Sequence, residues 1–124
     1  MNPITPATEE LVILPEVLEY KQTPDSLNLT LKIPENLSYF VGHFDQIPIV
    51  PGVVQIKWAT HYAQLHLGLS RVFRHMEAIK FKELLLPGQS VELHLHYGKT
   101  TGKLEFCFRS ENIEYSSGRL YFHD

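Results

Sequence analysis

The sequence has little cysteine, no basic excess and no long apolar run, and each shortage excludes a class of protein. Cys107 is the single cysteine in 124 residues, so no disulfide can form within the chain, which favours a reducing compartment. The formal net charge is −3, whereas nucleic-acid binders normally carry a basic excess. No apolar run approaches the ~20 residues that span a bilayer. We therefore expect neither nucleic-acid nor membrane partners.

The first residues also lack the basic stretch and apolar segment of a secretory signal. We therefore expect no signal peptide and a cytoplasmic location. The length fits one domain, residues 1–124, because domains commonly run to roughly 100–200 residues.

Alternation of apolar and polar residues predicts strands on both sides of one helix. The strands are expected at residues 16–21, 27–33, 78–84, 91–96, 104–109 and 113–122, with the last one broken near Ser116-Ser117-Gly118. The helix is expected at residues 53–67, ending at Gly68. The fold class is therefore α+β, with a curved antiparallel sheet wrapped around one long central helix.

The predicted helix is apolar over most of its circumference, which indicates a largely buried helix. Against this background, Lys57, Thr60, His61 and Gln64 form one polar stripe, because residues three and four apart share a helix face. The stripe either faces solvent or lines a cavity that begins at Gly52. The sequence leaves both readings open.

The stretch GHFDQIPIVPGVVQIKWATHY, residues 42–62, combines features that suit chemistry on an acyl group. Pro51 is favoured at a helix start, and the N–H groups of Gly52 and Val53 then have no partner within the helix. They can polarise a carbonyl and stabilise its enolate. The alternative is a plain helix start.

His43 precedes a segment that Pro48 and Pro51 make stiff. Such a segment can hold the imidazole near the helix start, and imidazole suits general-base work near neutral pH. A purely structural histidine is the alternative.

Residues 42–59 resemble the signature of the hot-dog-fold 3-hydroxyacyl-(acyl carrier protein) dehydratases. That family has a His-Phe, then Pro-apolar-apolar-Pro-Gly-Val, then an acid five residues after the glycine. Residues 77–88, EAIKFKELLLPG, resemble the family's strand that ends in Pro-Gly-Asp, with Gln89 in place of the Asp. The segments VVQIKWA and SGRL resemble the dehydratase-like subgroup associated with aryl polyene and related fatty-acid-like pathways.

The resemblance implies the hot-dog fold and the removal of water from a 3-hydroxyacyl thioester to give a trans-2-enoyl thioester. It makes His43 the catalytic histidine and Gly52 the donor to the thioester carbonyl, while Phe44, Val53 and Trp58 are expected to contact substrate. It also implies a substrate carried on acyl carrier protein, no metal or organic cofactor, and a homodimer or larger homo-oligomer with the site at the dimer interface.

Lys57 departs from the family, because it occupies the position of the catalytic acid. A protonated lysine can donate a proton to the leaving hydroxyl, although its usual pKa near 10.4 makes it a weaker acid than a carboxylic acid. Burial would lower that pKa. Alternatively, His61, Asp45 or Glu83 has taken over the role.

Three functions remain open. The first is a dehydratase with Lys57 in place of the acid. The second is an acyl thioesterase, which usually needs a carboxylate on or near the helix. The third is a non-catalytic subunit that binds acyl thioesters or completes a site in a heterodimer.

Two further features of the sequence concern histidine and cysteine. His94 and His96 share a strand face and could form half of a metal site, although exposed histidines are the simpler interpretation. Cys107 lies between two phenylalanines and points away from them, which favours an inert thiol over a nucleophile.

Overall fold

A computed structural model describes residues 14–35 and 49–124. Within these ranges, six strands form one antiparallel sheet and one helix follows the second strand. The elements are β1 (Glu16–Gln22), β2 (Ser26–Lys32), α1 (Gly52–His66), β3 (Val72–Phe81), β4 (Ser90–Gly98), β5 (Lys103–Ser110) and β6 (Ile113–His123). The order across the sheet is β1-β2-β4-β5-β6-β3, so β1 and β3 are its edges.

One face of the sheet packs on α1 and forms the core. The strands β2, β4 and β5 alternate between buried apolar and more exposed polar residues, as their sequences predict. Their buried members are Leu27, Leu29, Leu31, Val91, Leu93, Leu95, Tyr97, Leu104, Phe106 and Phe108. From α1, the core receives Trp58, Ala59, Tyr62 and Ala63.

The helix is buried on one side only. Val53 is 65% exposed and Leu65 is 63% exposed, so the sequence overstated the buried part of its circumference. Its end agrees with the prediction, since Gly68 has a positive φ of 72° directly after the last turn.

Strand β3 differs most from the prediction, because it begins six residues earlier than expected and ends three residues earlier. Its only described neighbour is β6, and nearly all its side chains are exposed, so no alternation reveals its first half. Its pairing with β6 shifts register twice. At the second shift Ala78 has a φ of 55°, which marks a bulge.

Strand β6 is continuous, so the predicted break at Ser116-Ser117-Gly118 is wrong. The irregularity lies just upstream, where Phe108 pairs with Ser116 and Arg109 pairs with Glu114. Tyr115 is the extra residue of this bulge. Its carbonyl accepts the backbone N–H of Lys82 at 2.9 Å.

No helix in the described ranges is long and apolar enough to cross a membrane.

Candidate active site

The start of α1 provides two backbone N–H groups that have no partner within the helix, as the Pro-Gly sequence predicts. Pro51 is extended, with φ −61° and ψ 150°, and its carbonyl accepts the N–H groups of Val54 and Gln55 at 3.0 and 3.2 Å. Neither the Gly52 N–H nor the Val53 N–H bonds to a described residue. No acidic residue lies in the first turn. The positive end of the helix dipole is therefore not neutralised from within α1.

Gly52 has a structural role that the sequence did not reveal. A Cβ atom at this position would lie 2.5 Å from Cζ of Phe81, which is too close for any real contact. The half-exposed ring of Phe81 therefore packs directly on the glycine. Because Gly52 has no side chain, the Phe81 ring can pack against it, and a ligand can still approach its N–H.

The polar stripe of α1 lines a cavity of about 440 Å³. Lys57, Thr60, His61 and Gln64 form its polar wall. The apolar wall comes from Leu14, Val54, Ile56, Trp58, Phe73, Met76 and Phe122. The stripe therefore lines a cavity, and two of its members, Lys57 and Gln64, are also exposed to solvent. The lining begins at Val54, however, and does not include Gly52.

Lys57 lies exposed at the rim of this cavity and makes no ion pair with a described carboxylate. Thr60 is tied to its own helix, because its hydroxyl donates to the Ile56 carbonyl at 3.0 Å. Lys57 is therefore the one cationic ammonium group on the described lining.

His61 is half-buried in the same wall, one turn after Lys57. Its ring meets Tyr62 edge-on, with 5.1 Å between the ring centroids. Burial raises the pKa of Tyr62 to about 12, so its hydroxyl stays neutral near neutral pH.

The other predicted site residues are scattered. His43, Phe44 and Asp45 lie outside the described residues. Trp58 is buried and lines the cavity, whereas Val53 and Glu83 are exposed and lie outside its lining.

Gln55 and Ser116 were not among the residues predicted from the sequence. They are the two polar side chains that the described residues bury, and they hydrogen-bond to each other. A glutamine on the buried side of an apolar helix is the signal that could have identified the first of them.

The outer face of the sheet carries a separate open groove of about 560 Å³, lined in part by His94, His96 and Cys107. His94 contacts Glu92 at 3.1 Å, and His96 contacts Ser26 at 3.4 Å. No three metal-binding side chains cluster anywhere in the described chain. The interpretation of these histidines as ordinary strand residues is therefore favoured.

Cys107 is expected to react several-fold more slowly with iodoacetamide at pH 8 than glutathione does. Burial, and then the charge of Glu114, raise the pKa of this thiol, so less reactive thiolate is present. Mass spectrometry of the single cysteine follows the reaction directly. The rate should still be rising with pH where that of glutathione has levelled off. A rate equal to that of glutathione at pH 8 contradicts this expectation.

A profile of the family described as ApeI-like, ApeI dehydratase, matches residues 19–119. Among curated relatives, the 3-hydroxyacyl-(acyl-carrier-protein) dehydratase FabZ of Chlamydia caviae is 25% identical over 109 residues, covering 81% of this chain and 71% of that protein. The FabZ of Roseobacter denitrificans is 26% identical over 112 residues, covering 82% and 73%.

Solved structures agree with this relationship. One chain of the dehydratase heterocomplex ApeI:P from Xenorhabdus doucetiae superposes with a TM-score of 0.82 and 28% identity, over 90% of this chain and all of that one. An uncharacterized protein from Erwinia carotovora gives 0.75 and 32%, over 90% and 97%. Mouse thioesterase superfamily member 2, at 14% identity and 0.66, shares the fold alone. The predicted hot-dog fold and subgroup are confirmed, and the chain belongs to the ApeI-like dehydratase family.

Proposed function

We propose that this protein removes water from 3-hydroxyacyl thioesters carried on acyl carrier protein, giving trans-2-enoyl thioesters, with Lys57 in place of the usual acid. The family match over residues 19–119 carries the proposal. Its FabZ relatives are named as dehydratases of acyl-carrier-protein substrates. The N–H groups of Gly52 and Val53, for which no described residue is the acceptor, and the cavity whose lining on α1 begins at Val54 support it.

In this mechanism His43 removes the proton from C2 of the thioester. The N–H of Gly52 stabilises the negative charge that develops on the thioester oxygen. The C3–O bond then breaks, and the Lys57 ammonium protonates the departing hydroxyl to give water. Exchange with solvent returns a proton to Lys57 and removes one from His43. All of the chemistry uses side chains and backbone, so no metal or organic cofactor takes part.

We further propose a homodimer that forms at the edge of β3, in the cytoplasm. This edge has no partner among the described strands, and it exposes Val72, Phe73 and Met76. Unpaired sheet edges and exposed apolar residues are usually covered by another chain. Because Phe73 and Met76 also line the cavity, such a partner would lie next to the site.

A second candidate is a subunit that completes its site with a different hot-dog chain. Two observations favour it: Lys57 replaces the acid, and the ApeI:P neighbour is named as a heterocomplex. In that arrangement this chain supplies His43 and Gly52 while the partner supplies the acid. The thioesterase alternative has less support, because no carboxylate lies on the described cavity lining.

The test is hydration of a trans-2-enoyl thioester, on carrier protein and on a small carrier mimic, by the wild type, Lys57→Glu and His61→Gln. The wild type is expected to turn over slowly, since lysine is a weaker acid than a carboxylic acid. His61→Gln should retain this rate if Lys57 is the acid, and should lose it if His61 is.

A silent wild type together with an active Lys57→Glu variant would favour the heterodimer, because the scaffold would then lack only its acid. Silence of all three folded proteins contradicts the dehydratase proposal.

A further inference from the structure

We infer that Gln55 and Ser116 form a positioning pair that fixes the direction of the Gly52 N–H at the start of α1. The inference rests on the proposed function, because it concerns the donor that would hold the thioester oxygen. The pair acts through the backbone and does not itself contact substrate.

The pair links three parts of the chain. The Ser116 hydroxyl in β6 donates to Oε1 of Gln55 at 2.6 Å. The Gln55 amide in turn donates from Nε2 to the Val50 carbonyl at 3.1 Å. Gln55 is 3% exposed and Ser116 is fully buried, so water does not compete for these bonds.

Stability alone does not account for this arrangement. Burial of an amide and a hydroxyl is unfavourable unless both are hydrogen-bonded, and the net gain from each bond is then small. The other buried residues of α1 are aromatic or alanine: Trp58, Ala59, Tyr62 and Ala63. An apolar side chain of the same length would suit such surroundings, but it would not fix the direction of the preceding backbone. The polar pair therefore adds a fixed direction for the backbone that precedes the helix.

Val50 is held from both sides. Its N–H donates to the Leu85 carbonyl at 2.8 Å, and its carbonyl accepts from Gln55. The next residue is Pro51, whose ring fixes φ. With Val50 fixed and φ of Pro51 set by its ring, the peptide that carries the Gly52 N–H can turn only about ψ of Pro51, and its carbonyl already accepts the N–H groups of Val54 and Gln55. Donors in catalytic sites need this restraint, because they act only when aimed within roughly 10–20° of the productive direction.

The same pair also connects to the ring that packs on Gly52. Ser116 pairs with Phe81 across the β3–β6 ladder, and Phe81 packs on Gly52. The start of α1 is therefore restrained by the hydrogen bonds of Val50 on one side and by the Phe81 ring on the other. Loss of the Ser116 hydroxyl should loosen the first of these restraints, because it removes the bond to Gln55 and leaves the backbone pairing with Phe81 in place.

The test compares Ser116→Ala and Gln55→Met with Leu104→Val as a matched control. Leu104 is buried in β5, four residues before Phe108, the residue that pairs with Ser116. The control therefore trims the core at the far end of the strand. Two readouts are used: the ¹⁵N–¹H resonances of Gly52 and Val53, and the separate values of kcat and KM for enoyl-thioester hydration.

Both pair variants are expected to shift the Gly52 and Val53 resonances and to lower kcat about tenfold with little change in KM, the signature of a lost transition-state interaction. Leu104→Val should lower the melting temperature without either effect. Resonances that move no more than in Leu104→Val overturn the inference. A wild type without turnover would overturn the proposal that this chain alone is an active dehydratase, while the resonance comparison still decides the positioning role. If Ser116→Ala does not fold, Gln55→Met decides it.

Discussion

Replacement of His43 by alanine is expected to lower the rate of enoyl-thioester hydration at least about a hundredfold, because a positioned general acid or base contributes roughly 10²–10⁴ in rate. In the proposed mechanism no other group removes the C2 proton. His61 lies in the cavity wall and is assigned no part in that step. The measurement is kcat/KM for the wild type and the variant on the same thioester.

The control is His94→Ala, which removes a histidine from the opposite face of the sheet, where it contacts Glu92. This variant should keep the wild-type rate. A His43→Ala variant that also keeps the wild-type rate would remove the histidine from the mechanism and leave the resemblance without its central residue.

The largest expected loss of stability comes from Gly102→Ala. Gly102 has a φ of 76°, and a Cβ atom there would collide with the carbonyl oxygen of Phe122. That part of β6 cannot easily yield, because the Phe122 N–H is bonded to the Gly102 carbonyl at 2.8 Å. The left-handed conformation costs about 1–2 kcal/mol for a residue with a side chain. The overpacking adds about 1–3 kcal/mol.

Gly68→Ala provides the matched control. Gly68 has nearly the same φ, 72°, but a Cβ atom there would meet nothing within 4 Å. The free energy of unfolding of Gly68→Ala should therefore fall only by the cost of the left-handed conformation, about 1–2 kcal/mol. Urea unfolding of the three proteins measures both losses. Equal losses at the two glycines would show that the collision with Phe122 is relieved at no cost.

The sequence predicts the strands that are buried on one face, because burial of one face makes apolar and polar residues alternate along the strand. The segments that became β2, β4 and β5 alternate because one face of each is buried, and their positions agree with the structure. The first half of β3 was missed because that strand is exposed on both faces and carries no alternation. The end of α1 was visible because Gly68 adopts the conformation that glycine favours.

The sequence predicts the part of the site that lies on α1, because those residues are close together along the chain. The stripe of Lys57, His61 and Gln64 follows from helical spacing alone. The opposite wall, which includes Phe73 and Met76, depends on how β3 and β6 lie against α1, and no local pattern reveals it. The Gln55–Ser116 contact joins residues 61 positions apart, so a single sequence gives no sign of it.

Among the described strands, β3 is hydrogen-bonded on one side only, and this has a thermodynamic consequence. Elements with few neighbours open at a lower free energy than the core, so amide hydrogens in β3 should exchange before those in β4 and β5. When β3 opens, Phe73 and Met76 leave the cavity wall. A chain that pairs with the free edge makes that opening rarer, and so does a ligand that fills the cavity. The two binding events are therefore linked, and each strengthens the other by the same factor.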